Sequence, residues 1–174
     1  MSICDSMYSR PFLAEVSWAR NTIIKIREHK VKNLPVGLDP ETAQPDALFI
    51  DFAQRGLTLE LYVPGRSISF GSPEAYMHDV ALIVGYVARR RQEELRSASD
   101  RIREILALKA EGWPVGLSWP DGQPDSIATY FALRGLPVAS FIRGKVNVGD
   151  DSAYDRNIAT LKEYVHKVGA EQVR

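Results

Sequence analysis

Three polar residues recur at one spacing in this chain. Gln44, Asp46 and Arg55 return as Gln123, Asp125 and Arg134, each shifted by 79 positions. A carboxylate can move a proton or hold a hydroxyl, and a guanidinium fork clamps a carboxylate or a phosphate. If Asp46, Arg55, Asp125 and Arg134 converged, they would build a two-fold pocket for a small polar ligand. A plainer use competes with this. Each aspartate follows a proline and can cap a short helix, leaving each arginine to a local ion pair. Capping also explains the prolines, so it is the preferred reading.

Other chemistry is sparse. His29, His78 and His166 lack the spacing of metal ligands. His78-Asp79 becomes Arg156-Asn157 in the second copy, a polar pair that reads as a solvated helix face. Ser118 lies in Leu117-Ser118-Trp119-Pro120, which is no nucleophile elbow, and the first copy has Asp39 in its place. Neither G-x-x-x-x-G-K-S/T nor G-x-G-x-x-G occurs, and the glycines read as turn residues. No convergent acid, base, nucleophile or metal set emerges, so neither catalysis nor a cofactor or metal is expected.

Two features point to macromolecules. Trp119 sits beside the turn Pro120-Asp121-Gly122, where binding anchors are often found, and it is unique to the second copy. Arg89, Arg90 and Arg91 form a basic run that could meet a protein or a phosphate backbone. Glu93, Glu94, Asp100 and Glu104 dilute it, so nucleic acid is not the expected partner.

What positions all these residues is a duplication. Pro35-Val36-Gly37-Leu38 matches Pro114-Val115-Gly116-Leu117, and 13 of the 32 positions from Pro35 to Arg66 are identical at the offset of 79. Composition alone would give about two. Beyond that the offset is 78, aligning Gly71, Tyr76 and Tyr86 with Gly149, Tyr154 and Tyr164. Upstream, Ala19, Ile23 and Ile26 fall on Ala98, Ile102 and Ile105. The expected organisation is an N-terminal segment 1–16, repeat units 17–95 and 96–168, and a tail 169–174.

Each unit reads alike. Phe12, Val16, Ala19, Ile23 and Ile26 lie on one helical face, entered at Pro11 after Ser9 or Arg10. A short extended piece follows Pro35 or Pro114. Residues 46–55 and 125–134 suit a short helix, although Leu48, Ile50 and Phe52 also alternate as in a strand. Leu57 to Val63, Pro64-Gly65 and Arg66 to Phe70 predict a β-hairpin, with Val138–Ile142 and Lys145–Val148 as its copy. A closing helix begins at Ser72-Pro73, with Asp150 or Asp151 in that place later. It runs toward the opening helix of the second copy, with a break expected near Ser97, Ser99 and Asp100. The predicted class is α+β, two pseudo-symmetric tandem repeats sharing one core, with exposed hairpin edges as strand-pairing surfaces.

The 174 residues carry 22 Lys and Arg against 22 Asp and Glu, and 45% are hydrophobic. That composition is globular rather than disordered. Cys4 is the only cysteine, lying in a segment outside the repeats. One cysteine and no basic-then-apolar leader suggest the cytoplasm, and Val80–Ala88 is too short to span a membrane. The expectation is therefore a non-catalytic protein-binding protein, an adaptor or an inhibitor. Two alternatives stand beside it: a ligand binder or enzyme with a site between the repeats, and a nucleic-acid binder using Arg89–Arg91. Self-association through an apolar helix face is also expected to be open to it.

Overall fold

Phe12 opens the first helix, and the computed structural model of the chain, which describes residues 10–65, 69–144 and 147–173, shows why it holds. Pro11 is extended, and its carbonyl accepts from the amides of Ala14 and Glu15. The helix α1, Phe12–Lys32, buries Phe12, Val16, Ala19, Ile23 and Ile26 along one face. It ends at Asn33, whose left-handed backbone lets the Leu34 amide reach the carbonyl of His29. Ser9, a candidate for its cap, lies outside the described residues, as does Cys4.

Four more helices follow among the described residues: α2 Ala47–Ala53, α3 Ala75–Glu111, α4 Ser126–Leu133 and α5 Ser152–Ala170. Residues 46–55 and 125–134 are thus helical in both copies. Ser72 and Pro73 precede α3 rather than start it, and the Ala75 amide bonds the Ser72 carbonyl. Asp151 is the cap residue of α5, but it is the Asp150 carboxylate that takes the Ser152 amide. The break expected at Ser97, Ser99 and Asp100 does not occur. From Tyr86 to Glu111 there is neither glycine nor proline, and the Ser99 hydroxyl simply donates back to the Leu95 carbonyl.

The α+β class is overturned. The structure is 58% helix and 8% strand, and the described residues form no sheet. In place of the two β-hairpins there are isolated antiparallel bridges, Val36 with Tyr62 and Val63 with Phe70, then Val115 with Phe141 and Ile142 with Val148. The donors explain it. A ladder needs successive amides to meet one neighbour. Here Leu57 N–H goes to the Phe52 carbonyl, Glu60 N–H to the Asp79 carboxylate, Tyr62 N–H to Val36 and Val63 N–H to Phe70. The second copy distributes Leu136, Ala139, Phe141 and Ile142 in the same way. Arg66 and Lys145, at the predicted hairpin tips, lie outside the described residues. With isolated bridges and no strand ladder among the described residues, strand addition at a hairpin edge loses its support.

The chain divides into two compact units, one running to Arg90 and taking in Gln172 and Val173, the other Arg91–Glu171. α3 contributes to both. In the first unit Phe12, Ile23, Ile26, Leu48, Phe52, Tyr76 and Ile83 are fully buried. The second has its own cluster, including Ile105, Val115, Ile127, Phe131, Phe141, Tyr154 and Leu161. Gly71 and Gly149 show why glycine recurs: at φ +71° and +65°, a Cβ would lie 2.0 Å from the Leu61 carbonyl oxygen and 2.2 Å from that of Ser140.

Candidate functional site

The repeated aspartates and arginines are engaged inside their own units. Asp46 caps α2, its carboxylate accepting from the amides of Phe49 at 2.9 Å and Gly37 at 3.0 Å. Asp125 caps α4 through the Ala128 amide at 2.8 Å. Arg55 is buried against Glu15, with Nε 2.8 Å from Oε2, and its guanidinium stacks 3.7 Å from the centre of the Trp18 ring. Arg134 forms the same pair with Glu94 and stacks 3.5 Å from the ring of Tyr130. Burial works against the Arg134 charge, but the Glu94 carboxylate outweighs it and raises the pKa.

Tyr86 and Tyr164 complete the two clusters, each donating its hydroxyl to the glutamate at 2.8 Å. Burial, reinforced by the Glu15 carboxylate, pushes the Tyr86 phenol up to about 12. Removing one partner of such a buried pair costs about 3–5 kcal/mol, because the other charge is left without compensation. That is reason enough to keep both arginines without any ligand. Glu15 and Glu94 were the residues that motif reading missed. They sit at the offset of 79, four positions upstream of the matched Ala19 and Ala98.

The basic run is partly spent as well. Arg90 donates to the Arg10 carbonyl at 3.2 Å, and Arg91 to the carbonyl of Glu171, while Arg89 is exposed. The pair His78-Asp79 is not a solvated face. His78 is half exposed beside Glu60, but Asp79 is completely buried and accepts the Glu60 amide at 2.8 Å. Ser118 closes a loop, its hydroxyl donating to the Asp121 carboxylate at 2.7 Å, and this bond holds the Asp121 carboxyl below its usual range.

Trp119 is different: it is 51% exposed, and close to it in sequence Trp113 is 60% exposed. Both line a groove of about 690 Å³ in the second unit. The last turns of α3 supply Glu104, Leu108 and Glu111 to it, and the start of α4 supplies Ile127. Pro114 and Leu117 add apolar surface, and Arg143 stands at the wall.

Local bonds hold the two indoles in place. Gly112 ends α3 in the left-handed region, so that the Trp113 amide bonds the Leu108 carbonyl at 2.9 Å. Tyr154 donates its hydroxyl to the carbonyl of Trp113. The Trp119 ring lies over Gly144, where a Cβ would be 2.9 Å from it. The loop behind Trp119 is closed by Ser118 N–H to Gln123 at 2.7 Å and Gly122 N–H to Ser118 at 2.9 Å.

The first copy has Leu34 and Pro40 where the second has Trp113 and Trp119. Trp113 escaped motif reading because it continues an apolar position beside a proline. The signal was the gain of a second indole six residues before the first, at a helix end. Among the described residues no group of three or more His, Cys, Asp or Glu could hold a metal, and no helix is long and apolar enough to cross a membrane. No protein-family model, no curated protein and no solved structure matches this chain.

Proposed function

We propose that the chain is a non-catalytic protein-binding module, an adaptor or an inhibitor, whose partner docks on the Trp113–Trp119 groove of the second unit. The observation that carries this reading is the pair of half-exposed indoles flanking one groove. Tryptophan is enriched at the centres of interfaces and among the residues whose truncation to alanine costs about 2 kcal/mol or more. The repeated polar residues Asp46, Arg55, Asp125 and Arg134 are by contrast occupied within the fold, which leaves little for a ligand to use. A cytoplasmic location goes with this reading, on the strength of the lone cysteine.

The test is capture from nuclease-treated source lysate with the full chain, alongside Trp113→Ala and Trp119→Ala. A partner held by the natural chain and weakened about 30-fold by either variant, with the unfolding midpoints unchanged, supports the reading. A partner retained by both folded variants moves the interface elsewhere. Assaying the partner's own activity with and without the chain then separates an inhibitor from an adaptor. A second copy acting as the partner would show as concentration-dependent sedimentation lost on Trp119→Ala.

A further inference from the structure

The two copies share an order of turns and bridges around this groove but differ in charge. Glu104 and Glu111 line it, and the first copy has Lys25 and Lys32 at the matching positions of the sequence. One copy thus has two cations where the other, which carries Trp113 and Trp119, has two anions. Glu104 pairs with Arg101 on the same helix, whereas Glu111 has no ion-pair partner among the described residues. Asp125 also lines the groove, with its carboxylate engaged by the Ala128 amide, and Arg143 is the cation among the described lining residues. Lys109 is next to this surface, but its ammonium is 2.6 Å from Asp155. The groove also receives the C-terminal end of α3, the negative end of a helix dipole.

Electron-rich indole faces, a surplus of carboxylates and a helix C-terminus all favour one chemistry. A cation is drawn to an aromatic face and gains most when its charge is also met by an anion. We infer that the groove takes a basic segment of the partner protein, with an arginine or lysine side chain laid against Trp113 and Trp119 and its charge facing Glu111 and Glu104. Apolar residues on either side of that cation would fill the surface of Leu108, Leu117 and Ile127. This inference rests on the protein-binding reading of the same groove.

A random peptide library selected on the full-length chain tests it, with the enriched peptides then measured against Trp119→Ala and Glu111→Lys. The expected result is enrichment of peptides carrying an arginine or lysine between apolar residues. Their affinity should fall at least tenfold with Trp119→Ala and at least fivefold with Glu111→Lys, and it should weaken with added salt. Glu111 is exposed, so its reversal leaves the fold intact, and unchanged thermal unfolding checks this. Peptides that depend on Trp119 but are acidic or uncharged, or are indifferent to Glu111→Lys, overturn the basic-segment inference and leave the groove as a docking site. Peptides indifferent to Trp119→Ala, or no enrichment at all, overturn both.

Discussion

Asp79 and Asn157 hold the same place in the two copies and differ by a single functional group. Asn157 closes two bonds to one residue, its oxygen accepting the Ala139 amide and its nitrogen donating to the Ala139 carbonyl, both at 2.8 Å. Asp79 makes the first of these with Glu60, but its other oxygen is buried without a partner. Burial pushes the Asp79 carboxyl up to about 6, against the opposing pull of the Glu60 amide and of His78 at 3.3 Å. The folded chain therefore binds this proton more tightly than the unfolded chain, whose carboxyl titrates near 4. Stability from this group is complete below about pH 4 and is lost as pH rises through about 6. Asp79→Asn should stabilise the fold by about 1–3 kcal/mol at pH 7.5. The gain should shrink toward pH 5, which urea unfolding at the two pH values would measure; a loss at pH 7.5 would contradict it. The position was readable in part. Tyr76, Asp79 and Ile83 fall on the 3–4 spacing of a buried face, but two polar residues at one site suggest solvent until a backbone amide is seen to need them.

At the scale of elements, the short helices α2 and α4 stand on their caps. Asp125→Ala should cost about 1 kcal/mol. Asp46→Ala should cost more, because its carboxylate also takes the Gly37 amide. Denaturant midpoints decide: two variants as stable as the natural chain would return these aspartates to the role of ligand groups. The helices were legible because each has a 3–4 apolar stripe, a proline entry or a glycine exit. The hairpins were not. Alternation from Leu57 to Glu60, with Leu57 and Leu59 buried and Thr58 and Glu60 exposed, reports that side chains face a core by turns, and it is silent on where the amides go. Here a helix side chain, a preceding helix end and two different segments each claim one amide, so the segment is extended without a sheet. The missing break in α3 has a related cause, since serines favour caps only where the following residues give up the helix.

For the whole molecule, charge is the governing quantity. Cations and anions balance at 22 each, and the isoelectric point is near 6.8. Mutual repulsion is then least at neutral pH. Precipitation by polyethylene glycol should begin at the lowest concentration near pH 6.8 and need more at pH 5 and pH 9, whereas a monotonic trend would show that local patches dominate. The duplication was the most legible feature of all, because glycines, prolines and caps are constrained by backbone geometry and survive divergence. The groove was the least legible, being made of what the copies do not share; of its two indoles only Trp119 stood out in the sequence. The isolated bridges also bear on the form of the precipitate. Fibrils grow when an open strand offers a run of unpaired amides and carbonyls to the next chain. A fold that spends such amides one at a time on different acceptors gives a fibril no template, so what separates from solution at neutral pH should be amorphous, without cross-β order, and should redissolve when the pH is moved.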